Sequence, residues 1–180
     1  MNSKKLGSFH VTGLQLIISD PCYPIECAVD DSDDFAWQLE PAKRGEWTAT
    51  VFYEDDFTIS KLVATHTDFK MTDNWIDTGK EVGVDSAKAG IFDASVYGRD
   101  DAITYEVENV HEINMDEEGL TYYVACCDAV ASSEYEAGIV PGGVVSMAGI
   151  GDGYYPAYVQ YDNQKIAAVL LDFWFDEEEE

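Results

Sequence analysis

Gly149-Ile150-Gly151-Asp152-Gly153-Tyr154-Tyr155-Pro156 runs straight into a strand-like stretch, Ala157 to Tyr161, then the turn Asp162-Asn163-Gln164 and a second apolar run, Ile166 to Phe175. Two apolar runs joined by a short polar turn read as an antiparallel hairpin. The glycines ahead of it reach positive φ without strain, so the chain can bend sharply there and bring its backbone against a neighbour. The stretch from Gly149 to Pro156 then reads as the turn that fixes the register of the closing hairpin, with Tyr155 or Tyr158 as a corner residue.

A second hairpin of similar length lies upstream. Trp47, Ala49, Val51 and Tyr53 alternate with Glu46, Thr48, Thr50 and Phe52, Glu54-Asp55-Asp56 turns the chain, and Phe57 to Ala64 returns. Phe9 to Ser19 reads as a strand or a bent pair interrupted at Gly13 and ended by Asp20-Pro21. Glu81 to Val84, Ile91 to Asp93 and Ile139 to Met147 read as further strands. The acidic stretch Asp30 to Asp34 is loop-like, or caps a short helix from Asp34 to Leu39. Residues 94–119, with Tyr105, Val107, Val110 and Ile113, fit strand or helix. Leu120 to Ala131 reads as a strand, or a strand leading into a short helix. No amphipathic helix of about three turns stands out. The expected fold is therefore mostly β or α+β: one domain over residues 1–175, a curved antiparallel sheet or small barrel built from hairpins, with residues 176–180 as a solvated, disordered acidic tail.

At 180 residues and 46% hydrophobic content, the chain is long enough to bury a core without disulfide or metal staples. It has no apolar run of about 18 residues to span a membrane and no apolar stretch behind Lys4-Lys5 to act as a signal, so a cytoplasmic location is expected. The four cysteines, Cys22, Cys27, Cys126 and Cys127, suit that compartment as free thiols; their spacing is a poor match for a tetrahedral zinc site. Net charge is the strongest compositional signal: 36 acids against 10 bases, a formal charge of -26. Such a surface repels nucleic acid and anionic lipid and attracts basic protein surfaces. High-salt adaptation fits less well, because lysine rather than arginine dominates the bases. Simple solubility remains the plainest reading.

Acidic, turn-flanked motifs recur along the chain: Asp20-Pro21-Cys22-Tyr23, then Val84-Asp85-Ser86-Ala87-Lys88-Ala89-Gly90-Ile91-Phe92-Asp93, then Gly151-Asp152-Gly153-x-Tyr155-Pro156. In this order, with Leu170-Leu171-Asp172-Phe173 near the end, they resemble an uncharacterised domain family of bacteria and their phages. That resemblance covers roughly residues 8 to 175 and implies a fold and a site location but no activity. Ala87 departs from it, standing where the family pattern has glycine, which puts a positive-φ turn there in doubt.

The motif residues define the candidate site: Asp20, Cys22, Tyr23, Asp85, Ser86, Asp93, Gly151, Asp152, Gly153 and Tyr155. If Asp20, Asp85 and Asp152 converge, with Asp93 beside them, their oxygens suit Ca²⁺ or Mg²⁺, or a pair of them suits acid–base chemistry. The competing expectation is that each aspartate caps backbone N–H groups of its own turn, with no cofactor at all. Cys22 as a nucleophile needs a base among His10, His66 and His111, and the negative field opposes its ionisation. Gly149-x-Gly151 and Gly151-x-Gly153 are not phosphate loops, since no lysine follows and Asp152 repels a phosphate. The leading functional expectation is a non-enzymatic acidic protein of bacterial or phage origin that binds a basic partner protein, as an inhibitor, immunity protein or decoy. The alternative is a metal-assisted or small-molecule site built from Asp20, Asp85, Asp93 and Asp152; a structural component of a larger particle ranks third. Oligomeric state is open.

Overall fold

The computed structural model describes residues 2–29, 34–55, 57–107 and 118–174. Its elements, in chain order, are β1 (Asn2–Val11), β2 (Leu16–Ser19), a single helical turn α1 (Glu26–Val29), β3 (Trp37–Leu39), β4 (Gly45–Tyr53), β5 (Ile59–His66), β6 (Ile76–Val84), β7 (Lys88–Asp93), α2 (Leu120–Ala131), β8 (Ala137–Val140), β9 (Gly143–Met147), β10 (Gly153–Asp162) and β11 (Lys165–Asp172). They form a six-stranded sheet ordered β1-β4-β5-β11-β10-β6 and a five-stranded sheet ordered β3-β2-β7-β9-β8. Both are antiparallel ladders, and neither closes into a barrel.

The alternation within strands sets a third layer. Leu16 and Ile18 face the core shared by the two sheets, while Ile17 between them faces α2; Ile91 and Phe92, and Val144 and Val145, divide in the same way. The five-stranded sheet is thus buried on both sides, between the larger sheet and the helix. Trp47, Leu62, Val82, Tyr155, Val169 and Phe173 fill the inter-sheet core, and Tyr97, Tyr122, Cys126 and Val130 fill the helix side. On the outer face of the larger sheet, buried Gln160 accepts from the Thr72 N–H at 3.0 Å and donates to the Thr72 carbonyl at 2.8 Å, which pins the loop before β6.

The two expected hairpins are present as β4–β5 and β10–β11. Ile139 to Met147 is itself a hairpin, β8–β9, turned at Pro141-Gly142. The helical option at Asp34 to Leu39 is not taken: Trp37 to Leu39 pairs with β2 instead, opposite Leu16 to Ile18. Leu120 to Ala131 is not a strand but a 12-residue helix. Its sequence gives little warning, because it buries Tyr122, Val124, Ala125, Cys126 and Val130 and so lacks a clean polar stripe. No capping side chain precedes it either. The cap comes from a distance: the Asp100 carboxylate accepts from the N–H groups of Gly119 at 2.9 Å and Tyr122 at 3.0 Å, satisfying two orphan donors of the first turn. Tyr105 and Val107 lie in neither strand nor helix. Val110, Ile113, the acidic Asp30 to Asp33 and the tail 176–180 lie outside the described residues.

The turn joining β6 to β7 contains Ala87 at φ 63°, so a left-handed position that favours glycine is occupied by an alanine. A Cβ in that region costs roughly 1–2 kcal/mol, partly offset by the smaller entropy of the unfolded alanine chain. Ala87→Gly is therefore expected to stabilise the fold by up to about 1 kcal/mol in chemical denaturation, whereas Ala87→Val should destabilise it.

Candidate functional site

The three motifs meet at one end of the sheets, and the loop Asp85-Ser86-Ala87 is where they meet. Asp20 follows β2 and is fully buried. Its Oδ2 accepts from the backbone N–H of Asp85 at 2.8 Å and of Ser86 at 2.6 Å; its Oδ1 accepts from the Ser86 hydroxyl at 2.6 Å and the Cys22 N–H at 2.9 Å. From the other side, Asp152 Oδ1 accepts from the Ala87 N–H at 3.0 Å. Lys88 closes the loop by donating from Nζ to the Ser86 carbonyl at 2.7 Å. Asp20 therefore caps its own turn and the loop of Asp85 together, and Asp152 caps that same loop from the other side.

The third motif is held as its sequence suggests. Gly149 sits at φ 49° with the Phe173 carbonyl so close that an added Cβ would lie 2.6 Å from it, so this position needs glycine on both counts. Tyr155 is buried, donates its hydroxyl to the Gly151 carbonyl at 2.6 Å and meets Phe173 edge-on at 5.2 Å. Gly153 opens β10 opposite Val84, which places the third motif beside the second.

Asp93 does not join this cluster. It ends β7, whose first residue Lys88 adjoins the loop, so about five residues of extended chain, roughly 16 Å, separate them. There it repeats the same device: Oδ2 accepts from the Thr12 N–H at 2.8 Å and hydroxyl at 3.0 Å, and Oδ1 from the Ser95 N–H at 3.0 Å and hydroxyl at 2.8 Å. The proposed grouping of Asp93 with Asp20, Asp85 and Asp152 is therefore corrected. Among the described residues no group of three or more His, Cys, Asp or Glu side chains is placed to share a metal ion. Asp20 spends both oxygens on donors of the protein itself, so the donor set does not fit a divalent cation without breaking the loop.

Cys22 is a free, exposed thiol. Burial of its sulfur, then the Asp20 charge and the hydrogen bond to Asp20, push its pKa from an ordinary 9 up to about 12. The thiol is protonated at neutral pH and is a poor nucleophile. The expected bases do not serve it: His66 bonds the Arg44 carbonyl at 2.8 Å and the Asp68 N–H at 3.1 Å, His10 pairs across from Glu46, and His111 lies outside the described residues. Of the other thiols, Cys126 is buried and raised well above its usual value by burial.

What the motifs alone did not reveal is an aromatic ladder on the surface beside the loop. Tyr23 stacks on Phe35 at 5.4 Å between ring centres, and Phe35 on Tyr154 at 6.4 Å. Phe35 reaches this place because its carbonyl accepts from the Gly83 N–H at 2.8 Å and its ring lies over Gly83, where any Cβ would come within 2.9 Å of it. Tyr23 is fixed from behind by Tyr97, whose buried hydroxyl donates to the Tyr23 carbonyl at 2.6 Å. Burial, then Cys22, Asp85 and Asp20 nearby, raise the Tyr23 phenol to about 12, so it too stays neutral. Tyr154 is 50% exposed. The carboxylates of Asp85 and Asp152 are exposed at the edge of the ladder, and among the described residues no lysine or arginine pairs with either.

No protein-family model, curated protein or solved structure matches this chain. The resemblance carried by the motifs stands on those residues alone, and the chemistry of the site rests on its geometry. No helix among the described residues is long and apolar enough to cross a membrane.

Two outcomes follow. Asp20→Ala strands the part-buried donors of Cys22, Asp85 and Ser86 and is expected to cost about 2–4 kcal/mol in denaturant unfolding, against about 1 kcal/mol for Asp152→Ala, which loses one exposed bond; equal costs would show that Asp20 is not the keystone. Because the Cys22 pKa is raised on folding, its stabilising contribution is complete below pH 9 and lost as pH climbs toward 12. At pH 8 its alkylation should run on the order of 10²–10³ times slower than that of the unfolded chain, as followed by mass spectrometry.

Proposed function

We propose that this protein is a non-enzymatic binding module that takes a basic segment of a partner protein on the face where its motifs meet. One observation carries the reading: a preformed ladder of Tyr23, Phe35 and Tyr154, bordered by the carboxylates of Asp85 and Asp152, with neither of which a lysine or arginine forms an ion pair among the described residues. Aromatic faces beside unpaired carboxylates offer an arginine or lysine a π-face and a counter-charge together. Gly83 seats the Phe35 ring and Tyr97 fixes the Tyr23 backbone, which lowers the entropy these two residues lose on binding. The net charge of -26 adds long-range attraction for a basic partner and speeds encounter at low salt. The Cys22 thiol is protonated and the Asp20 carboxylate is taken up by donors of Cys22, Asp85 and Ser86, which favours a binding role over hydrolysis or group transfer at this face. Those same bonds remove the motivation for a metal-assisted reading, which would need Asp20 re-paired. An inhibitor, immunity or decoy role is compatible with this mode of binding.

The test is binding of an arginine-rich peptide, read by fluorescence anisotropy across a salt series. Affinity is expected to fall about tenfold or more between 50 and 300 mM salt. Tyr154→Ala should weaken it by about 1–2 kcal/mol, and Asp85→Asn with Asp152→Asn should flatten the salt dependence. Salt-indifferent binding, or binding unmoved by both variants, would overturn the proposal.

A further inference from the structure

A second site lies away from the motif face, and its charge is of the opposite sign. Lys43, Arg44 and Lys165, with Asp162 and Asn163, line a surface cavity of about 310 Å³. The whole chain has 10 lysines and arginines among 180 residues, so three at one cavity is a marked local concentration. Lys43 Nζ pairs with Asp162 Oδ2 at 2.7 Å, tying one wall to the other. Arg44 and Lys165 form no ion pair within 4.0 Å among the described residues, so two positive charges stay uncompensated at the rim.

The walls are rigid for reasons visible in the backbone. On one side, Ala42 bridges Ile166, the Lys43 N–H donates to the Ile166 carbonyl at 2.9 Å, and the Ile166 N–H donates to the Pro41 carbonyl at 2.8 Å. The indole of Trp47 holds the Lys43 carbonyl at 2.9 Å, and His66 holds that of Arg44 at 2.8 Å. The opposite wall is the two-residue turn of β10–β11, with Asn163 at φ 48° and Gln164 at φ 69°. These positive φ values match the tight hairpin geometry whose twist suits its strands. Two bases thus project from fixed backbone on facing sides of a small cavity, one of them the planar fork that grips oxyanions.

We propose that this cavity binds a small dianion of the phosphate class, as inorganic phosphate or a phosphate monoester, with Arg44 and Lys165 as the principal ligands and the Asn163 side-chain amide as a further donor. A compact ligand is favoured on two grounds. The volume lies at the small end of ligand cavities, and a long polyanion such as nucleic acid would have to cross the strongly negative remainder of the surface. The site is independent of the motif face, so either proposal can fail alone.

The test is a titration of the ¹⁵N-labelled full chain with inorganic phosphate at constant ionic strength, with chloride as the control anion. The expected result is saturable amide shifts confined to residues 43–46 and 162–166, with a Kd of about 1 mM or tighter. Arg44→Gln combined with Lys165→Gln should weaken binding at least about tenfold. Both side chains are exposed, so the spectrum of this variant should otherwise overlay that of the parent. Shifts that do not saturate, an equal response to chloride, saturation elsewhere, or unchanged affinity in the double variant would each overturn the assignment.

Discussion

The buried carboxylate of Asp20 is the constraint on which the motif end of this structure depends. A charged group taken wholly out of water is tolerable only if its lone pairs are met, and here donors from Cys22, Asp85 and Ser86 meet them at 2.6–2.9 Å. The bonds join residues 65 and 66 positions apart, so one side chain fixes the turn after β2 against the turn after β6. Asp152 approaches the same loop from the β10 side, and Asp93 performs the equivalent task at the far end of β7. Strand ends joined through the bonds of these carboxylates leave little freedom for the loops between them. That rigidity is what turns Tyr23, Phe35 and Tyr154 from scattered aromatics into a fixed surface.

The layers explain why these clamps are needed. The middle sheet is buried on both sides, so its strands end without a polar face on which loops could spread. Backbone groups at those ends must be satisfied by side chains brought in from elsewhere. Short oxygen-bearing residues suit this, since an aspartate offers two acceptors with little rotamer entropy to lose. The motif pattern of Asp, Ser and Gly is thus a solution to an accounting problem in backbone hydrogen bonds before it is anything else.

How far this was legible in the sequence follows from where each signal is stored. Hairpins such as β4–β5 are written in strict alternation over Glu46 to Tyr53 and could be read directly. Helix α2 could not, because its information is non-local: its cap is Asp100, 19 and 22 residues before the N–H groups it serves, and its apolar residues spread around the helix between sheet and solvent. The site divides along the same line. The motifs singled out Asp20, Ser86 and Asp152 but left open whether they meet, and the structure brings all three to one loop. It did not separate Asp93, which looks alike in sequence and belongs to a different junction. Phe35 was beyond reach, since its place depends on the missing side chain of Gly83, a residue on another element.

Charge shows the difference between composition and site most clearly. A total of -26 describes the average field and favours basic partners, yet it does not say where a partner can grip. Grip requires oriented groups close together, and the chain gathers these in two places of opposite character. At the motif face, aromatic rings stand beside carboxylates that form no ion pair among the described residues, and burial raises the Tyr23 phenol further above its ordinary value. At the β10–β11 turn, three bases gather around one carboxylate. An anion approaching the molecule at random meets repulsion over most of the surface, and the short range of screened charge at physiological salt lets a local excess of two positive charges prevail within the cavity. A surface of one sign with a small inset of the other separates ligands by size: an extended polyanion meets the average field, whereas a compact dianion meets only the inset.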